Sequence, residues 1–169
     1  MGSGGQKSMS SKAKAKSLTV MEQVMNDPFV RRSAEYEISL LDPKGIGAQI
    51  PQWIINRESD GLRKNFQVKR ETEKAILVSS SGDVYKGIRN TEFWVPKSQL
   101  QSVEKTKQEI WEKHANRAVS EKYSTYLNST AASAGVKVGN LSSWEKITAK
   151  LQKSGVAVMT RDEFKNSKA

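Results

Sequence analysis

Side chains that commonly carry catalysis are sparse in this chain. There is one histidine, His114, there is no cysteine, and two close carboxylate pairs stand out, Glu71 with Glu73 and Asp162 with Glu163. A Ser–His–Asp system needs its histidine beside an activated nucleophile, and no nucleophile-elbow motif occurs. A zinc site draws its ligands from Cys and His, so one His and no Cys argue against it. Glu71 and Glu73 alternate with Lys69, Arg70 and Lys74, where surface ion pairing accounts for them. Asp162 and Glu163 open a short C-terminal helix, where acids favour the helix dipole. These residues define no reaction, and neither a metal nor a cofactor is expected. A nuclease would have to declare itself by metal dependence.

The residue types that fit binding are more plentiful. The 169 residues hold 28 Lys and Arg against 18 Asp and Glu, a net charge of +10. That excess attracts polyanions, nucleic acid being the commonest and an acidic protein surface an equal fit on charge alone. Trp53, Phe66, Trp94 and Trp111 lie among these cations. Rings beside cations stack bases while the cations neutralise phosphate. Half or more of such rings must instead build the core, and Trp53 with Ile54 and Ile55 is assigned there. The expected nucleic-acid-binding residues are Arg63, Lys64, Lys69, Arg70, Lys74, Trp94, Lys97, Ser98 and Gln99. A helix beginning near Ser98 would offer free N–H groups to an anion, or Ser98 would simply cap it. Gly45-Ile46-Gly47 lacks the Gly, Lys and Ser/Thr of a phosphate loop and reads as a tight turn.

The elements that position these residues centre on Val68 to Leu100. Two apolar runs, Ala75–Val78 and Phe93–Val95, flank a polar, Gly-bearing segment and read as strands joined by turns. Pro96 closes the second. Phe66 to Arg70 leads in as a further strand, and Tyr36, Ile38 and Leu40 alternate across Glu35 to Leu41 as another. The fold expected is α+β, a small antiparallel sheet or partly open barrel over about residues 35–97, followed by a long helix and a short helical C-terminal module. Residues 1–17 form a disordered basic tail carrying Lys7, Lys12, Lys14 and Lys16. Residues 18–100 form the β-rich core, opened by a short helix with the capping-box pair Thr19 and Glu22. The long helix covers 101–129, a linker 130–141, and the last module 142–169. In that module Ser142 with Glu145 and Thr160 with Glu163 have capping-box spacing, Gly155 stands just past a helix, and Val156–Met159 is strand-like.

The stretch Thr72-Glu73-Lys74-Ala75-Ile76-Leu77-Val78, followed by Phe93-Trp94-Val95-Pro96-Lys97-Ser98-Gln99, resembles a pattern in small proteins of bacteriophages and mobile elements. The resemblance covers roughly residues 66–100. It implies a compact β-rich domain, in some members suspected of handling single-stranded nucleic acid.

Two functions follow as expectations. The first is a non-enzymatic protein of phage or mobile-element origin that binds single-stranded or structured nucleic acid through phosphate contacts and aromatic stacking. The second is a phage-encoded inhibitor or adaptor, anti-CRISPR-like, whose basic surface engages a host defence ribonucleoprotein. No run reaches the roughly 18 apolar residues of a membrane span, and a cytoplasmic setting is expected.

Overall fold

The computed structural model describes residues 18–59, 61, 63, 65–82, 84–87 and 90–168. The chain divides into two compact units, Arg32–Glu112 and Met1–Arg31 with Lys113–Ala169. Residues 18–31 therefore group with the C-terminal helices and not with the sheet. The chain is α+β: a three-strand antiparallel sheet, then a long helix and a short C-terminal helical part.

In the unit Arg32–Glu112 the sheet comprises β1 (Gln67–Glu71), β2 (Ala75–Ser80) and β3 (Thr91–Pro96), in the order β1-β2-β3. The register between β2 and β3 is unbroken and pairs Ile76 with Val95, Leu77 with Trp94 and Val78 with Phe93. Between β1 and β2 it pairs Val68 with Val78 and Arg70 with Leu77, so Lys69 is the extra residue of a bulge. Alternation assigns Ile76, Val78, Phe93 and Val95 to the inner face. They pack with Phe66 and with Ile50, Ile54 and Ile55 at the helix α3 (Gln52–Glu58). Phe66 meets Phe93 edge to face, with ring centres 5.3 Å apart. Val78 and Val95 are wholly excluded from solvent. Each such side chain contributes about 1.5–3 kcal/mol.

Three expectations need correction in this unit. The alternating stretch Glu35–Leu41 is not a strand, because most of it belongs to the helix α2 (Pro28–Ser39). Pro28 stands at the first helical position, where its missing N–H costs nothing, and the Asp27 carboxylate accepts the Phe29 N–H at 2.8 Å. Tyr36 and Leu40 are exposed, so their alternation marks no sheet face. Trp53 is 50% exposed rather than core, with the Arg57 guanidinium 5.1 Å over its ring centre. The long helix, α4 (Val103–Ala134), starts later and ends later than expected.

The other unit is helical. The helix α1 (Val20–Met25) has the Thr19–Glu22 capping box, and α6 (Arg161–Lys165) has the Thr160–Glu163 box, each with both reciprocal bonds made. The helix α5 (Trp144–Lys153) is flanked by Ser143 without a side-chain cap, so the Ser142–Glu145 box does not form. Val20, Val24, Ala115, Val119, Tyr123, Leu127, Ala131, Ile147, Leu151 and Phe164 make one core. Residues 130–134, expected as linker, are the last turn of α4. Ala131 is buried there, and the helix stops at Gly135, whose φ of +71° suits glycine. Val156–Met159 joins no sheet. Instead the Tyr123 hydroxyl donates to the Met159 carbonyl at 2.8 Å, and the Met159 N–H donates to the Tyr126 hydroxyl oxygen at 2.9 Å.

Candidate nucleic-acid interface

The expected site residues lie in or beside the sheet unit, and folding sorts them into four groups. Arg70 and Trp94 come together on the outer face. Arg70 pairs with Leu77 and Leu77 with Trp94, so the three side chains form one row across all three strands. Trp94 is 44% exposed while Leu77, between its neighbours, is only 8% exposed. The row therefore presents a half-open indole and a guanidinium over an apolar floor. Arg70 has no carboxylate partner among the described residues.

One step along the sheet, Gln67 pairs with Ser79 and Ser79 with Glu92. The bulged Lys69 belongs here, its ammonium 3.3 Å from the Glu92 carboxylate. A shallow cleft of about 390 Å³ opens at this end, lined by Asn65, Gln67, Ser79, Ser80 and Ser81. Its lining carries amides and hydroxyls and no charge.

At the opposite end of the row the turn after β1 meets the end of β3. The Lys97 N–H donates to the Lys74 carbonyl at 2.8 Å, and the Lys97 ammonium lies 2.7 Å from the Glu71 carboxylate. Ser98 and Gln99 complete a 3₁₀ turn with Lys97. They do not open α4. That helix begins at Val103, and the Ser102 hydroxyl accepts the Lys105 N–H at 3.2 Å. The helix N-terminus expected at Ser98 therefore lies at Val103 instead.

Arg63 is a correction. Its side chain is 4% exposed and turned inward. One terminal nitrogen donates to the carbonyls of Gly47 at 2.6 Å and Ile50 at 2.8 Å. The other donates to the Gln52 side-chain oxygen at 3.4 Å and lies 3.8 Å from the Glu109 carboxylate. Glu109 also accepts from the Gln52 N–H and from the Gln101 amide. Burial pushes the Arg63 pKa down, while Glu109 and Glu37 oppose that shift. Arg63 is the clamp that holds the turn before α3, and its remaining donor, Nε, is buried. Lys64 lies outside the described residues.

No family model, curated protein or solved structure matches the chain.

What remains for chemistry is a surface about 14 Å long from the Ser79 row to the Ala75 row, given roughly 3.4 Å per strand residue. It carries the exposed Trp94 indole, Arg70, Lys74 and Lys69 held by Glu92, while Lys97 is held at the sheet's end by Glu71, the register partner of inner-face Ile76. Exposed ion pairs of this kind are worth about 0–1 kcal/mol, so a phosphate can take Lys69 or Lys97 from its partner at little cost. Among the described residues no three His, Cys, Asp or Glu side chains cluster as a metal site would require. Among the same residues no helix is long and apolar enough to cross a membrane.

The distribution of charge is the feature that residue-by-residue reading missed. Arg32–Glu112 holds 13 Lys and Arg against 12 Asp and Glu, leaving 15 against 6 for the helical unit with its N-terminal segment. The sheet unit is close to neutral, so any affinity it has for a polyanion comes from placement and stacking more than from net field.

Proposed function

We propose that the protein binds single-stranded nucleic acid, without acting on it chemically, on the outer face of its sheet. The observation that carries this reading is the Arg70–Leu77–Trp94 row, with a half-open indole on one edge strand and, across Leu77 on the other, an arginine that has no carboxylate partner among the described residues. A base stacks on the indole, Arg70 and Lys74 meet the flanking phosphates, and Lys69 exchanges the Glu92 carboxylate for phosphate. Sheets that bind single strands stack two or three bases in this way, and 14 Å of surface accommodates a segment of that length. The resemblance over residues 66–100 agrees with a phage or mobile-element origin.

The near-even charge of the sheet unit gives one specific support to the second reading, a host defence ribonucleoprotein as partner. A face mixing Trp94 and Arg70 with Glu92, whose carboxylate already holds Lys69, has the makeup of a protein interface.

Fluorescence anisotropy with a labelled single strand separates the two. Trp94→Ala is expected to weaken binding by about 5- to 150-fold, the equivalent of about 1–3 kcal/mol per stacked base. Trp94→Phe should keep most of the affinity. Binding indifferent to Trp94→Ala and Arg70→Gln would remove the sheet-face reading, and stoichiometric capture of a ribonucleoprotein would then favour the second.

A further inference from the structure

Residues 18–31 and 113–169 hold 11 Lys and Arg against 6 Asp and Glu, and α5 concentrates part of that excess on one face. Lys146, Lys150 and Lys153 are spaced i, i+4, i+7, a single stripe about 10 Å long at 1.5 Å per residue. All three are exposed, while Ile147 and Leu151 on the opposite side are buried. The Lys150 ammonium donates to the Lys137 carbonyl, which brings the exposed Lys137 to the same edge. None of these four lysines has a carboxylate partner among the described residues.

Helix electrostatics explains only part of this stripe. Lys150 and Lys153 fall in the last turn, where a cation favours the dipole, but Lys146 lies in the first turn, where it opposes it. Like charges within about a Debye length of 8 Å repel one another, and an external anion relieves the repulsion.

We propose that Lys137, Lys146, Lys150 and Lys153 form a second anion-binding face that takes the phosphate backbone of duplex nucleic acid. The composition of the face selects this partner. Glu145, Ala149 and Gln152, the exposed residues flanking the stripe, supply no ring on which a base could stack, so a single strand would gain little beyond charge. A membrane surface would call for Trp, Phe or Leu beside the lysines, and a protein partner for aromatic anchors. The rings of this unit's core, Tyr123, Tyr126, Trp144 and Phe164, are packed on one another instead. Lysines without rings beside them, at spacings of about 4.5–6 Å, suit contacts that neutralise phosphate without reading sequence.

The test is the salt dependence of binding by the full chain to a labelled 20-base-pair duplex. Lys146→Gln/Lys150→Gln/Lys153→Gln is compared with the equally charged control Lys44→Gln/Lys86→Gln/Lys105→Gln. Each phosphate contact contributes about 0.9 to the slope of log K against log salt, so the α5 variant should flatten it by about 2.7 while the control leaves it unchanged. The corresponding Lys→Arg triple variant should retain the wild-type slope. Equal flattening by both Gln variants, no flattening by either, or loss of binding in the Arg variant would overturn the proposal. So would capture by phosphatidylserine vesicles without duplex binding. The outcome is separable from the sheet-face reading, because Trp94→Ala should lower single-strand affinity and leave the duplex salt slope alone.

Discussion

Arg63→Ala is the substitution whose outcome the structure constrains most tightly. Arg63 sits in a loop among charged neighbours, as a ligand-binding arginine would, yet its guanidinium is buried and joined to two backbone carbonyls and one carboxylate. Hydrogen bonds from a charged donor are worth about 1.5–3 kcal/mol each, and removing one partner of a buried pair costs about 3–5 kcal/mol. Truncation leaves the Gly47 and Ile50 carbonyls without their donor. It also leaves Glu109 facing the Gln52 N–H and the Gln101 amide alone. The unpaired Arg63 Nε trims the gain from burying the wild-type side chain, so about 3–4 kcal/mol is the expected loss. Urea denaturation should therefore show a midpoint shift with an unchanged slope for the transition that exposes Trp53 and Trp94. Arg63→Lys should recover less than half of the loss, since an ammonium cannot span both carbonyls and Glu109 in one plane. A shift worth less than about 1 kcal/mol would refute the clamp. So would an Arg63→Ala protein of normal stability that has lost nucleic-acid affinity.

Two further outcomes concern the helical unit. Thr160→Ala removes the cap of α6 and should cost about 1 kcal/mol in denaturant, with Thr160→Ser close to wild type; an unchanged midpoint would count against the box. The phenol of Tyr123 is pushed up from its ordinary value chiefly by burial, while Thr148 opposes the shift and Tyr126 and Glu163 add to it. The folded state thus holds this proton more tightly than the unfolded one. Its contribution is fully present below about pH 10 and is lost as pH rises through the folded value. Wild type should lose stability above about pH 10 faster than Tyr123→Phe, and parallel curves would contradict the assignment.

How much of this was legible beforehand differs from element to element. The strands around Ile76–Val78 and Phe93–Val95 could be read because dense β-branched and aromatic runs, bounded by Ser, Gly and Pro, have few alternatives. Glu35–Leu41 misled because alternation over seven residues also arises at a helix end, here with an exposed Tyr36 on the helix and an exposed Leu40 just past it. The deciding signals, Pro28 and the Asp27 carboxylate, stood eight residues upstream. Residues 130–134 read as linker on their small, polar composition, but small side chains suit a helix that packs closely, and Ala131 prolongs the four-residue spacing of Tyr123 and Leu127. At the candidate site, Trp94 and Arg70 were legible as types and their place in one row was not, since it depends on the Lys69 bulge, which sets Arg70 opposite Leu77. Nothing local distinguishes the inward Arg63 from an outward one. Its partners are 11 to 46 residues away in sequence, and only the fold brings them to it. The charge imbalance could be counted from the sequence, but only the division into units shows that the sheet unit is close to neutral.

Chemical-shift mapping of the isotope-labelled full chain during titration with a short single-stranded oligonucleotide addresses the sheet face most directly. The account predicts fast, saturable shifts at the Trp94 indole N–H, the Leu77 methyls and the backbone of Lys69 to Glu71, with Arg63 and the inner-face valines unmoved. Shifts confined to α5 and the N-terminal lysines, with the Trp94 indole silent at saturation, would contradict it.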